Sequence, residues 1–179
     1  NTAAIMILSK LKLGMIKGID RPAICSLVPN KEDFNIMLDL GANVNSNAEN
    51  LFQNAIMGYC YHATVKPDKN PKIGIINIGT EYNKGKEILK NAADLINESS
   101  LKKYFIGFIE PDKMTSVECD ILIADGFTGN IILKTAEGMS KYITTNLKKV
   151  FIKSLFNKFA YKILHKDLKL FRDKINPAK

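Results

Sequence analysis

The fold of this chain is decided by the stretch Asp120-Ile-Leu-Ile-Ala-Asp-Gly-Phe-Thr-Gly-Asn-Ile-Ile-Leu-Lys-Thr-Ala-Glu-Gly138. Its first part, 121–124, is a continuous apolar run, which is typical of a strand buried on both faces of a parallel sheet. Asp125 and Gly126 end this run. Apolar residues then recur at helical spacing, and Thr128 is the predicted N-cap. The pattern therefore predicts a strand, a tight polar turn and a helix.

The turn at 125–130 is the predicted anion site. Ligands of open α/β sheets bind at the carboxyl ends of the strands, and a helix N-terminus offers N–H groups to an anion such as phosphate. Lys134 lies on the same predicted helical face as Asn130, so it is a further candidate contact. An ordinary capping turn explains the same residues. The residues assigned to this site are Asp125, Gly126, Thr128, Gly129, Asn130 and Lys134.

The rest of residues 1–140 alternates between strand and helix patterns after short turns. Such alternation predicts a three-layer α/β/α sandwich with a mainly parallel sheet. Strands are predicted at 23–27, 35–44, 72–79, 104–109 and 121–124, and helices at 3–13, after a Ser46/Glu49 capping box, at 84–98 and after Thr128.

Polar turns also follow three other predicted strands, and two of these turns hold candidate site residues. Asp39 and Asn43 flank Gly41, and Glu81 and Lys84 lie in the loop after the third strand. Each turn alone fits ordinary turn chemistry or a surface loop. Because the carboxyl ends of parallel strands meet at one edge of the sheet, their convergence favours a functional site there.

Charge divides the 179 residues unevenly. Positions 1–140 hold 15 Lys and Arg against 16 Asp and Glu, whereas positions 141–179 hold 11 against two. An apolar stripe continues through this lysine-rich part, which predicts a basic amphipathic helix or helical hairpin at 141–179. Such an extension packs on a partner helix, or lies on an anionic membrane or an acidic protein. Its aromatic residues fall largely on the apolar stripe, which counts against stacking on nucleic acid.

Several classes of protein are disfavoured by motifs. Three scattered cysteines do not make a disulfide framework, and no Cys or His cluster suggests a metal site, so a cytoplasmic setting is expected. No apolar run is long enough to span a bilayer, and no signal-peptide pattern opens the chain. The dinucleotide and P-loop glycine motifs are absent from the sequence.

Four blocks of sequence resemble, in order and spacing, the phosphate acyltransferase family of bacterial phospholipid synthesis. Asn1-Thr2-x-Ala4 also looks like the end of that family's Ser-Gly-Asn-Thr-Gly-Ala segment. Members of the family extend beyond this chain at both ends, so the chain is expected to be a fragment. The four blocks are Gly18-Ile-Asp-Arg-Pro-Ala23, Leu38-Asp-Leu-Gly-Ala-Asn-Val44, Asn77-Ile-Gly-Thr-Glu-x-x-Lys-Gly-x-Glu87 and Asp125-Gly-Phe-Thr-Gly-Asn130 with Leu133-Lys-Thr-Ala-Glu-Gly138.

The resemblance implies a fold like that of phosphotransacetylases and of isocitrate and isopropylmalate dehydrogenases, in a homodimer. It implies transfer of a fatty acyl group from acyl carrier protein to inorganic phosphate, without metal, nucleotide or other cofactor. On this hypothesis Asp125 orients or deprotonates phosphate, and Asn130 or Asn43 donates to the oxyanion. The implied substrate-binding residues are Asn1, Thr2, Asp39, Asn77, Glu81, Lys84, Gly126, Thr128 and Gly129.

Two other readings of the sequence stay open at this point. One is a phosphotransacetylase-like enzyme that takes its acyl group from acyl-CoA. The other is a membrane-binding or nucleic-acid-binding module driven by the basic C-terminal helices. The acyl phosphate product would serve a membrane acyltransferase, so peripheral contact with an anionic membrane is compatible with the main reading.

Overall fold

The computed structural model describes residues 2–31, 33–116 and 118–175. The chain separates into two compact units, Asn1–Asn130 and Ile131–Lys179. The predicted boundary at residue 140, between an α/β catalytic core at 1–140 and a basic helical extension at 141–179, stays a prediction.

The first unit contains the alternating strands and helices. Its elements are α1 (Thr2–Leu13), β1 (Cys25–Pro29), β2 (Phe34–Leu38), α2 (Ala48–Val65), β3 (Ile73–Ile76), α3 (Glu87–Asn97), a 3₁₀ turn (Ser100–Tyr104), β4 (Phe105–Ile109) and β5 (Ile121–Ile123). The helix α4 (Gly126–Ile152) begins in this unit and continues into the second, which also holds α5 (Leu155–Lys174).

The five strands form one sheet in the order β1-β2-β5-β3-β4. The pairs β2–β5, β5–β3 and β3–β4 are parallel, and β1 pairs antiparallel with β2 at one edge. The predicted fold class, an α/β/α sandwich with a mainly parallel sheet, is confirmed. The central strand β5 is also the shortest, at three residues.

The core lies between the sheet and the helices α2 and α3. Ile36, Ile73 and Ile121 point towards these helices and are fully buried. Gly58 lets α2 approach the sheet, because a Cβ there would stand 2.7 Å from Ile121 Cγ2. Met37 and Leu122, whose side chains alternate to the opposite face, are fully buried as well. A sheet buried on both faces holds the ends of its strands in fixed positions.

Two elements begin two or more residues later than predicted. The strand predicted at 23–27 begins at Cys25, because the Ile24 N–H donates to Asp39 Oδ1 instead of to a neighbouring strand. The helix predicted at 84–98 begins at Glu87, because the Lys84 N–H closes a turn onto Glu81 O.

The capping box predicted for α2 is wrong by one residue. Asn47, not Ser46, is the N-cap, and its side chain accepts from the Asn50 N–H at 2.8 Å. The Asn47 N–H donates in return to Asn50 Oδ1 at 3.2 Å. Asn50 thus replaces Glu49 as the reciprocal partner, which an amide oxygen does equally well.

Candidate functional site

The loop after β2 is built around one buried carboxylate. Asp39 has no exposed surface. Its Oδ1 accepts from the main-chain N–H groups of Ile24, Gly41 and Ala42 at 3.0, 3.2 and 2.9 Å, and Oδ2 accepts from the Asn43 N–H at 2.7 Å and Asn43 Nδ2 at 2.9 Å. Five donors leave this carboxylate no surface for a ligand. Asp39 therefore shapes the loop 39–43, and its predicted contact with substrate stays a prediction.

Asn43 connects this loop to two other segments. Its side-chain Nδ2 donates to Pro22 O at 2.8 Å as well as to Asp39 Oδ2, so both hydrogens of the carboxamide are engaged. Its carbonyl oxygen accepts from the Gly126 N–H at 2.9 Å. In this arrangement Asn43 positions the start of α4, and its predicted role as a donor to the oxyanion stays a prediction.

Asp125 caps the helix α4. Its Oδ1 accepts from the Thr128 N–H at 2.7 Å, and its Oδ2 accepts from Thr128 Oγ1 at 3.0 Å. The prediction that Thr128 is the N-cap is therefore wrong, because the helix begins two residues earlier, at Gly126. The Gly129 N–H donates to Asp125 O at 2.9 Å. That donor, expected to hold phosphate, is engaged within the helix.

Glycines allow the start of α4 to lie directly on the loop 39–43. A Cβ on Gly129 would overlap the carbonyl oxygen of Asp39, and a Cβ on Gly126 would stand 2.7 Å from Asn43 O. Gly41, at a φ of +122°, lies beside Asn130, whose Cβ is 3.4 Å from the position that a Gly41 Cβ would take. Asn130 is exposed at this contact. The two predicted loops thus meet, and the Asn130 side chain stands at their junction.

The loop after β3 is held by Asn77. This residue is 4% exposed, and its Nδ2 donates to Lys84 O at 3.1 Å while its Oδ1 accepts from the Ile78 N–H at 2.9 Å. Gly85, at a φ of +81°, packs against the Asn77 carboxamide, where a Cβ would overlap Oδ1. Asn77 therefore closes the loop 77–85, and its carboxamide is engaged.

Glu81 and Lys84 pair with one another in that loop. Lys84 Nζ lies 2.9 Å from Glu81 Oε1, and both side chains are about half exposed. The hydrogen bond from Lys84 lowers the pKa of Glu81, and the same bond raises the pKa of Lys84. Both groups therefore stay charged at neutral pH, on the exposed side of the loop.

A cavity of about 370 Å³ lies between the loop 77–86 and the start of α4. Asn77, Asp125 and Thr128 reach it from the polar side. Its remaining lining residues are Ile76, Ile78, Gly85, Lys86, Leu89 and Pro111. The apolar members of this set were not identified from the sequence. The available signal was Pro111, which follows the end of β4 and therefore lies at the same edge of the sheet as the other polar loops.

The remaining predicted site residues are Asn1, Thr2 and Lys134. Asn1 is outside the described residues, and Thr2 begins α1. Lys134 belongs to the second unit, where its Nζ pairs with Glu137 Oε2 at 2.8 Å. Their predicted roles stay predictions. No group of three His, Cys, Asp or Glu residues is placed to hold a metal ion within 2–31, 33–116 and 118–175.

Titratable groups also cluster at the opposite edge of the sheet. Asp120 precedes β5 and accepts from Lys69 Nζ at 2.7 Å and from the Lys72 N–H at 2.9 Å. His62 of α2 is 1% exposed, and its Nε2 lies 4.0 Å from Asp120 Oδ1. Neither ring nitrogen has a hydrogen-bond partner in the described part of the chain. Burial lowers the pKa of His62.

The second unit is a basic pair of helices. Ser154 caps α5 by accepting from the Asn157 N–H at 3.1 Å, and the rings of Phe151 and Tyr161 stand 5.6 Å apart between the two helices. Large apolar side chains remain exposed around the connection, including Leu155 at 82% and Phe156 at 87%. Among the described helices, none has the length and apolarity to cross a membrane.

Comparison with known families decides the classification. The profile of the fatty acid synthesis protein family matches residues 1–179. The chain belongs to this family. Phosphate acyltransferases from Pelagibacter ubique and Paramagnetospirillum magneticum are similar to it, at 38% identity over 178 residues and 45% over 161 residues. These matches cover 99% and 90% of the chain and 54% and 46% of the relatives, so the chain spans about half their length.

Solved structures agree with the fold of this family member. A phosphotransacetylase from Streptococcus pyogenes matches with a TM-score of 0.60 at 17% identity, covering 79% of the chain and 49% of that structure. The EutD phosphotransacetylase from Staphylococcus aureus matches with a TM-score of 0.55 at 14% identity, covering 74% and 46%. The predicted likeness to the phosphotransacetylase fold is confirmed, as is the predicted family.

Proposed function

We propose that the complete protein transfers a fatty acyl group from acyl carrier protein to inorganic phosphate. A phosphate oxygen attacks the thioester carbonyl carbon, the carbon–sulfur bond breaks, and the sulfur takes up a proton. The products are acyl phosphate and free carrier protein. The observation that carries this proposal is the match of nearly the whole chain to relatives named phosphate acyltransferase.

Phosphate would bind at the start of α4, in front of the loop 39–43. A helix N-terminus favours an anion through its dipole. The exposed carboxamide of Asn130 stands at the junction of the helix and the loop. Since Asn43 and Asn77 are engaged, we assign to Asn130 the donation to phosphate or to the developing oxyanion. Loss of such a donor costs roughly a hundredfold or more in rate elsewhere.

Asp125 has a positioning role in this proposal. Both of its carboxylate oxygens accept from Thr128, which fixes the first turn of the helix beneath the anion. Phosphate at neutral pH is already a usable nucleophile, so the step needs orientation more than a strong base. Orientation of two reactants contributes about 7 kcal/mol or more in favourable cases. The hydrogen bonds of Asp39 and Asn43 supply that rigidity before substrate arrives.

The basic second unit would receive the partners. Acyl carrier protein is acidic, and positions 141–179 hold 11 Lys and Arg against two Asp. Charge complementarity of this kind raises association rates and fixes orientation. The exposed Leu155 and Phe156 would rest on an anionic membrane or against a second copy in a homodimer. The protein would thus act in the cytoplasm, at the membrane surface.

The test is formation of acyl phosphate by the complete protein, trapped with hydroxylamine. Long-chain acyl-ACP and phosphate should give the hydroxamate, and acyl-ACP without phosphate should not. Turnover with acyl-CoA and none with acyl-ACP would favour a phosphotransacetylase activity instead. An intact thioester with both donors, in a folded protein, would overturn acyl transfer altogether.

A further inference from the structure

The cavity between the loop 77–86 and the start of α4 has two chemically different sides. Ile76 and Leu89 form its floor and are buried, at 3% and 7% exposure. Ile78 and Pro111 extend this apolar wall to the opening, where both are exposed. On the polar side, Asn77, Asp125 and Thr128 are hydrogen-bonded within the protein, and the exposed Lys86 also lines the cavity. A ligand in this cavity would therefore contact apolar side chains on one side and, on the other side, the start of α4, where phosphate is proposed to bind.

The wall fits a hydrocarbon better than a pantetheine arm. Pantetheine carries amide groups, and burying an amide without hydrogen-bond partners costs free energy. The nearest carboxamide, on Asn77, is occupied by Lys84 O and the Ile78 N–H. An alkyl chain needs no polar partner and gains from each methylene that leaves water.

The volume sets a lower bound on the size of the occupant. At about 370 Å³ the cavity has the room of roughly a dozen water molecules at their volume in the liquid. An acetyl group would leave most of this space unfilled, whereas a chain of several methylenes would fill it. The space lies at the low end of the usual range for ligand sites.

We infer that this cavity, lined by Ile76, Ile78, Leu89 and Pro111, holds the fatty acyl chain of the substrate. The inference rests on the proposed function and extends it to chain-length selection. With the chain against this wall, the thioester carbonyl reaches the opening at Asp125 and Thr128, where α4 begins. The apolar wall then discriminates fatty acyl from acetyl donors.

Ile78 offers a clean test because it is 77% exposed, so its replacement leaves the core untouched. In the wild type, kcat/KM for acyl-ACP donors of increasing length should rise by roughly fourfold per methylene until the cavity is filled. Ile78→Lys should flatten this dependence, with a greater loss for dodecanoyl than for butanoyl donor. Ile106→Lys is the matched control, since Ile106 is also exposed and does not line the cavity. Equal losses for short and long donors in Ile78→Lys would overturn the inference while acyl transfer stands.

A second measurement does not depend on turnover. A fatty acid carrying a terminal diazirine, irradiated with the complete protein, should label peptides that contain residues 76–89 or Pro111. Labelling should decrease several-fold in Ile78→Lys and persist in Ile106→Lys. Labels confined to other peptides would overturn the acyl-chain assignment. Labelling at the cavity in a protein that forms no acyl phosphate would separate failure of the proposed reaction from failure of this site.

Discussion

The carbonyl oxygen of Asp39 occupies the space that a side chain at Gly129 would need. The helix α4 therefore rests with its first turn on the backbone of the loop 39–43. A second close contact, between Gly126 and the backbone of Asn43, repeats the arrangement three residues earlier. The proposed phosphate site depends on this approach, because it sets the distance between Asn130 and the loop.

Gly129→Ala should destabilise the protein by about 2 kcal/mol, the usual cost of an overpacked contact. The loss would outweigh the helix propensity gained from alanine. Gly138→Ala, in the same helix with nothing within 4 Å of its Cβ, should instead gain about 0.5 to 1 kcal/mol. Urea unfolding measures both. Equal effects from the two changes would contradict the close approach.

Asp39→Asn should cost about 3 kcal/mol of unfolding free energy. The amide places an NH₂ group where the carboxylate now accepts hydrogen bonds, so buried N–H donors lose their partner. Asp112→Asn is the control, because its ion pair with Lys113 is exposed and worth little. If both variants unfold at the same urea concentration, the Asp39 network does not stabilise the fold.

Asn130→Ala should lower acyl phosphate formation by roughly a hundredfold or more and leave the unfolding free energy nearly unchanged. The side chain is exposed, so no core contact is lost. Asn146→Ala, at a partly buried position further along the same helix, should keep full activity. Wild-type turnover in Asn130→Ala would remove the central assignment of the proposed mechanism.

The stability of the protein should fall as the pH drops below about 6.5. Burial lowers the pKa of His62, and Lys66 and Lys69 oppose the attraction of Asp120. The ordinary value is 6.5, so in acid the unfolded chain binds this proton before the folded chain does. Linkage then makes the unfolding free energy decrease with acidification, from pH 6.5 down to the folded pKa.

Unfolding at a series of pH values measures this dependence. His62→Gln should make the free energy of unfolding flatter between pH 5 and 6.5, whereas His165→Gln, an exposed position, should keep the wild-type slope. Asp120 contributes to the pH dependence of the unfolding free energy only at lower pH. Burial raises the pKa of this carboxyl, but the hydrogen bonds from Lys69 and Lys72 outweigh it and the pKa is lowered. A His62→Gln slope equal to that of the wild type would assign the pH dependence to other groups.

Phe156→Ser should weaken binding to vesicles that contain anionic phospholipid, with little change in stability. Phe156 is 87% exposed, so its loss removes no internal contact, yet an inserted ring gains from leaving water. Ile106→Ser, in the first unit, is the control. Unchanged vesicle binding together with a shift from dimer to monomer in sedimentation would assign this surface to a second copy instead.

The mainly parallel sheet was predicted from the alternation of strand and helix patterns. The continuous apolar run at 121–124 identified a strand buried on both faces, which pairs in parallel with both of its neighbours. The first residue of each helix was harder to predict from the sequence. Ser46 and Asn47 both suit an N-cap, and only the position where the chain leaves the loop selects Asn47.

The roles of the polar residues were the harder part. Asp39 and Asn43 have the same local pattern whether they face a ligand or the backbone. The choice depends on Ile24 and Pro22, which lie far away in sequence and supply the partners. The cavity shows the same limit, since Leu89 and Pro111 come from different elements and meet only in three dimensions.

The strand β5 has three residues, yet it holds the middle of the sheet. Asp120, which precedes the strand, accepts from the Lys72 N–H beside β3, and Asp125, which follows it after Ala124, turns the chain into α4. A shift of β5 along β3 would break the contact of Asp120, whereas the hydrogen bonds from Thr128 to Asp125 lie within one turn of chain and would move with the strand. The register of this short strand is therefore held by its backbone pairs with β2 and β3 and, at its first end, by one buried carboxylate.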